Sequence, residues 1–171
     1  MNALKIKTLC FDYEEAFKSE FLVDFKLETN DGVVLNAHKL ILVIRSEVFK
    51  AMLTDDSKEV EKGFLTIPDF DSKTMKEVLR FMYCNKVENL DEIARDLILA
   101  AEKYQLDGLR EICIESIIRT LSTENVVKSL MISQGLSKAE KLFKECAELI
   151  IRYEQNGEFL SFLKIISFKE I

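Results

Sequence analysis

Asp24-Phe25-Lys26-Leu27-Glu28-Thr29-Asn30-Asp31-Gly32-Val33-Val34-Leu35-Asn36-Ala37-His38-Lys39-Leu40-Ile41-Leu42-Val43-Ile44-Arg45-Ser46-Glu47-Val48-Phe49-Lys50-Ala51-Met52-Leu53 changes its hydrophobic period once, and that change decides the fold. Phe25, Leu27 and Thr29 alternate with charged residues, which is the pattern of a half-buried strand. Asn30-Asp31-Gly32 is a turn signal, and alternation resumes at Val33 and Leu35. Beyond Ala37-His38-Lys39 the apolar residues take helical spacing, so the stretch predicts a hairpin feeding two short helices.

Upstream, Leu9, Tyr13, Ala16 and Phe17 recur at steps of three and four, with Glu14, Glu15, Lys18 and Ser19 between them. This describes a short amphipathic helix whose apolar face lies either on the core or on a second subunit. Downstream, residues 54–63 are rich in Asp, Glu and Lys and predict a loop, followed by a short strand at residues 64–67 that Pro68 ends. Ser72 or Asp71 is placed to cap a helix with Met75, Val78, Leu79 and Met82 inward. Asn89-Leu90-Asp91-Glu92 has capping-box spacing and opens a helix that buries Ile93, Leu97, Ala100, Ala101 and Tyr104. Gly108 stands near the start of another, through Leu109, Ile112, Ile117 and Leu121.

The last third is helical throughout. Ser122 or Thr123 precedes a helix carrying Val126, Val127, Leu130 and Met131, and Gly135 is placed to end it in a left-handed cap. Ser137-Lys138-Ala139-Glu140 reads as a second capping box, opening a helix with Leu142, Phe143, Cys146, Ala147, Leu149, Ile150 and Tyr153 on its apolar side. The tail, with Phe159, Leu160, Phe162, Leu163, Ile165, Ile166 and Phe168, is too apolar for open solvent and is expected to pack on the preceding helix, the alternative being a partner surface. Strands early and helices late predict an α+β domain over residues 9–121 and an all-helical extension over residues 122–171.

Composition narrows function. With 171 residues, 48% hydrophobic and 32% charged, the chain suits one domain with a full core plus a helical appendage. A net charge of −6 without a basic stripe argues against a nucleic-acid surface. No apolar run approaches the ~20 residues that span a bilayer. Cys10, Cys84, Cys113 and Cys146 are widely spaced with no Cys-x-x-Cys pair, and no signal peptide is apparent. They are expected to be reduced, packed thiols of an intracellular protein of nucleus or cytoplasm.

Chemistry finds little support. His38 is the sole histidine, and zinc needs four grouped ligands that one histidine and scattered cysteines do not supply. A Cys-His or similar dyad on His38 is the residual enzyme reading, against the more usual structural role of a histidine at such a junction. No phosphate-cradling glycine motif, His-Glu-x-x-His or nucleophile elbow is present, and no cofactor is implied. Asp55-Asp56 and Glu59-Glu61 read as solvated loop charge.

Asp24, Ala37-His38-Lys39, Leu42, Arg45-Ser46, Phe49 and Ala51-Met52 together resemble the core pattern of the BTB/POZ family. The likeness continues through Ile67, Phe81-Met82-Tyr83, residues 97–104 and Leu109. Within that family it is most similar to the speckle-type POZ proteins, because Leu121-Ser122-Thr123-Glu124-Asn125 and residues 137–142 resemble the helical pair that follows the domain there. The resemblance implies an interaction module rather than an enzyme: a homodimer, also pairing with related BTB proteins, that docks onto a cullin-3 ubiquitin ligase scaffold. It implies a dimer interface on Leu9, Tyr13, Ala16 and Phe17, a charged cluster at Asp24 and Lys39 near the dimer groove, and cullin docking by Ser57, Glu59, Val60 and Tyr104. Relatives hold substrate on a MATH domain, which this sequence does not include before Met1, so either that domain lies outside this sequence or the substrate site is elsewhere or absent. Docking relatives carry a hydrophobic residue two positions before the glutamate; here Ser57-Lys58-Glu59 keeps Glu59 and replaces the anchor by Ser57, with Val60 a substitute after a small shift. The alternative reading is therefore a BTB oligomerisation scaffold without cullin binding.

Overall fold

The computed structural model describes residues 3–54 and 62–155, with side chains from residue 11 onward. Ser57, Glu59 and Val60, and the apolar residues beyond Gln155, lie outside the described residues. Among the described residues eight helices and three strands follow in the order α1 (Ala3–Ser19), β1 (Phe25–Thr29), β2 (Val34–Ala37), α2 (Lys39–Arg45), α3 (Glu47–Leu53), β3 (Phe64–Ile67), α4 (Ser72–Cys84), α5 (Leu90–Lys103), α6 (Asp107–Arg119), α7 (Val126–Gln134) and α8 (Glu140–Gln155). The α+β expectation holds: a small sheet set among helices, with helices alone after it.

The hairpin forms where the period predicts it. Thr29 N–H bonds the Val33 carbonyl at 2.9 Å, Gly32 N–H bonds the Thr29 carbonyl at 2.9 Å, and Gly32 takes φ +75°. This is a three-residue loop whose last residue must be left-handed, which glycine adopts without penalty. β3 joins on the other side of β1, parallel to it, giving the order β2-β1-β3. Gly63 precedes that strand at φ +68°, and a Cβ there would stand 3.0 Å from the Asp24 carbonyl oxygen, which favours glycine.

Asp31 ties the hairpin tip to α4. Its carboxylate accepts from the Thr29 hydroxyl, from Ser72 N–H at 3.2 Å and from Ser72 Oγ at 2.7 Å. Beside it Asp71, not Ser72, caps α4 by accepting from Thr74 N–H at 2.9 Å. The hydroxyl bonds from Thr29 and then Ser72 hold the Asp31 carboxyl down at about 2, from its usual 3.8. A carboxyl lowered in the fold stabilises it above the unfolded value and ceases to do so as pH falls through the folded one. The melting temperature should therefore drop between pH 3.8 and about 2, and Asp31→Asn should lower it at neutral pH while flattening that acid limb. Circular dichroism melts across this range check both. A flat limb in the unsubstituted protein would contradict the argument.

The chain divides into two compact units, residues 1–89 with 96–110, and residues 90–95 with 111–171. In the first, the predicted inward residues of β1, α4 and α5 are buried: Phe25, Leu27, Met75, Val78, Leu79, Met82, Leu97, Ala100 and Ala101. Tyr104 joins them, stacked on Phe49 with ring centroids 4.4 Å apart and 10° between planes. In the second, Cys113, Ile117, Val126, Leu142 and Cys146 are buried, and Arg95 donates to Ser129 Oγ at 3.2 Å.

Three terminus expectations need correction. Asn89 has φ +51° and makes no side-chain cap, because a left-handed backbone turns its amide away from the helix start. Asp91 of that predicted box is engaged instead by Ser116 Oγ at 2.6 Å and by Arg119. Gly135 sits at φ −90°, so α7 closes through a right-handed turn, Gly135 N–H to the Ile132 carbonyl at 3.0 Å. α8 starts only at Glu140, with Phe143 N–H on the Ala139 carbonyl at 3.0 Å, and Phe143 itself is exposed rather than inward.

Candidate protein-interaction surface

The apolar stripe of α1 divides between packing and a groove, which the spacing alone did not separate. Phe17 turns inward, its ring 5.3 Å from that of Tyr83 and 5.4 Å from the Arg80 guanidinium, so it belongs to the α1–α4 packing and not to a free face. Tyr13 and Ala16, on the same stripe, line a shallow apolar groove with Asp24, His38, Leu40, Ile41 and Tyr83. The side chain of Leu9 lies outside the described residues. Glu14, beside this stripe, pairs with Lys86 and with Lys18 at 2.9 Å, and these two bonds hold its carboxyl at about 2.

On α1, on α2 and in the loop between α1 and β1 stand large apolar side chains in solvent. Leu22 is 76% exposed, Leu40 68% and Tyr13 37%, and Phe11, Phe21 and Ile44 are exposed as well. α2 explains part of this: seven residues reading Lys-Leu-Ile-Leu-Val-Ile-Arg are apolar all round, yet only Ile41 and Leu42 face the core. A short helix with apolar residues on both faces asks for burial on both. Sequence reasoning missed Leu40 and Ile44, although this all-round pattern was a readable signal.

The loop carrying Phe21 and Leu22 is strained and held. Glu20 and Leu22 have φ +51° and +61°, conformations that L-residues with a Cβ adopt at a cost. Three contacts fix it. Asn36 Nδ2 donates to Glu20 at 2.8 Å, His38 Nε2 meets the Phe21 carbonyl at 2.8 Å, and Lys39 N–H donates to Asp24 Oδ1 at 2.7 Å. Asp24 and Lys39 are thus brought together through the Lys39 backbone amide at the first turn of α2, where His38 supplies no side-chain cap.

His38 is a junction residue in this geometry. Tyr83 Oη accepts from the His38 backbone N–H at 2.8 Å and lies 2.7 Å from Nδ1. With a neutral ring, Tyr83 donates its single hydrogen to Nδ1, and Nε2–H donates to the Phe21 carbonyl. Burial pushes the Tyr83 phenol up, which keeps it a donor. Both ring nitrogens therefore face a phenol and a main-chain carbonyl, with neither a nucleophile nor a carboxylate among their bonded partners. Cys84, Cys113 and Cys146 are buried free thiols, and burial pushes Cys113 up to about 12, the opposite of an activated thiolate. Among the described residues no group of three metal-ligating side chains converges, and no helix is long and apolar enough to cross a membrane.

Tyr104, expected on a docking surface, is 0% exposed, and its hydroxyl has no hydrogen-bond partner among the described residues. Ser46 fixes it from below: its Oγ donates to the Tyr104 carbonyl at 2.7 Å while accepting from Phe49 N–H at 3.1 Å as the cap of α3. Lys103 lies 5.7 Å from both the Phe70 and Tyr104 rings and pairs with Asp69. Tyr104 is a core ring beneath that surface and cannot touch a partner directly.

Comparison with known proteins points the same way. The BTB/POZ domain family matches residues 13–121. The chain is 34% identical over 147 residues to "Protein maternal effect lethal 26" of Caenorhabditis elegans, a match covering 85% of this chain and 37% of that protein. It therefore spans little more than a third of the length of that relative. Among solved structures it resembles the BTB domain of zebrafish PATZ1, with a TM-score of 0.57 and 21% identity over 70% of this chain and 97% of the other.

Proposed function

The chain belongs to the BTB/POZ domain family, a family of protein-interaction modules, and on that premise we propose that it is a dimeric adaptor docking onto a cullin-3 ubiquitin ligase scaffold. In this reading residues 9–121 form the interaction domain and residues 122–171 extend the docking surface, as in speckle-type POZ proteins, in nucleus or cytoplasm. Tyr13, Ala16 and Leu40 carry self-association, and Ser57, Glu59 and Val60 carry docking. The observation that supports dimerisation is the cluster of exposed apolar side chains on α1, α2 and the loop between α1 and β1, which a second copy would cover. The resemblance continuing into α7 and α8 supports the adaptor role, since a pure dimerisation module needs neither helix.

Affinity between the purified chain and the cullin N-terminal domain tests this by calorimetry. Ser57→Met restores the apolar anchor and is expected to tighten binding by about tenfold, because a buried aliphatic side chain contributes roughly 1.5–3 kcal/mol. No binding at tens of micromolar, by either form, would sink the adaptor reading. The oligomerisation scaffold without cullin binding, favoured by Ser57, would then stand.

A further inference from the structure

We propose that the free edge of β2 is a docking site for an extended peptide segment of a partner protein, one with an acidic side chain among apolar ones. This proposal is independent of the adaptor reading. Among the described residues β2 ends the sheet, and the bonded pair Thr29–Val33 sets the ladder phase, so in the register Leu27↔Leu35 and Phe25↔Ala37 it is Leu35 and Ala37 that exchange bonds with β1. The N–H and C=O groups of Val34 and Asn36 therefore point away from the sheet. Such an edge is a template for one more strand.

A cleft of about 360 Å³ runs beside this edge, between β2, the end of α1 and α4, with Phe17, Leu35 and Leu79 on its apolar side. Alternate side chains of an added strand would enter it and the others would face solvent. Its charges are mostly engaged. Arg80 is held by Glu77 at 3.1 Å and Glu88 at 2.9 Å, Lys18 by Glu14 at 2.9 Å, and Glu20 by Asn36 at 2.8 Å. Lys76 lines the same cleft, and among the described residues it has no carboxylate at ion-pair distance. An acidic residue on the incoming strand completes it.

The test titrates the full chain with the peptide acetyl-Thr-Val-Thr-Glu-Thr-Val-amide and follows the protein amides by NMR. The Val34 and Asn36 amide signals should move downfield and gain protection from exchange. Of the two alternately N-methylated forms of the peptide, one blocks the facing edge and should bind about tenfold more weakly. Lys76→Glu, at an exposed position, should weaken the parent peptide about tenfold, and replacing the peptide glutamate by lysine should recover that loss. Unmoved Val34 and Asn36 amides at saturating peptide would overturn the proposal, as would equal binding of both N-methylated forms. The same shifts on raising protein concentration alone would place a second copy on this edge and overturn it too.

Discussion

Tyr13→Asp combined with Leu40→Asp should convert the protein from dimer to monomer with the fold intact. Both side chains lie on the apolar groove between α1 and α2, and Leu40 in particular contributes little to the protein's own core. Each apolar anchor lost from a dry interface costs roughly 1.5–3 kcal/mol, and a carboxylate on each copy adds like-charge repulsion. A tenfold change is about 1.4 kcal/mol, so the dimer dissociation constant should rise by about a hundredfold or more. Light scattering should report half the mass, with a far-ultraviolet spectrum and cooperative melt retained. Phe17→Asp is the contrasting variant. Its ring packs on Tyr83 and Arg80, so the substitution should lower the melting temperature as well as disturb association. A native mass equal to one chain before any substitution would refute the assignment.

Tyr104 carries the second large effect, and only one of two substitutions there should lower stability. Tyr104→Ala removes a fully buried ring stacked on Phe49 and next to Phe70, and is expected to cost about 3–5 kcal/mol in urea unfolding. Tyr104→Phe keeps the stack and deletes a buried hydroxyl with no partner among the described residues, whose desolvation penalty is about 1–3 kcal/mol, so stability should be unchanged or higher. The Ser46 bond goes to the Tyr104 main chain and survives both changes. Burial pushes the phenol up, so its ultraviolet titration should coincide with alkaline unfolding. A marked loss of stability in Tyr104→Phe would reveal a partner for that hydroxyl.

The parts of the fold legible in the sequence are those that local physics dictates. Alternation through Phe25, Leu27 and Thr29, the Gly32 turn, Pro68 after β3 and the inward stripe of α4 depend on period and backbone preference, which neighbours in sequence set. Helix ends were less legible. At Asn89 a left-handed backbone overrode the capping preference, and Asp91 found Ser116 and Arg119, twenty-five and twenty-eight positions away. Residue spacing does not encode partners that only folding brings close.

The surface divides along the same line. Tyr13, Ala16 and Phe17 sit in one periodic stripe, yet a helix stripe is wider than the face one neighbour covers, so Phe17 went to α4 and Tyr13 to solvent. Tyr104 ends an apolar pattern like any other, and whether its ring is surface or core rests on Phe49 and Phe70 meeting it.

By itself the sequence determined the order of strands and helices, the hairpin register and the family, because these follow from periodicity and from residues that build the His38 and Ser46 junctions. Only the tertiary structure decided which apolar side chains remain in water, that the free edge of β2 borders a cleft with Lys76, and that Asp24 holds a backbone amide. Exposure and pairing are properties of what folds against what, and burial is apportioned among elements after each has formed.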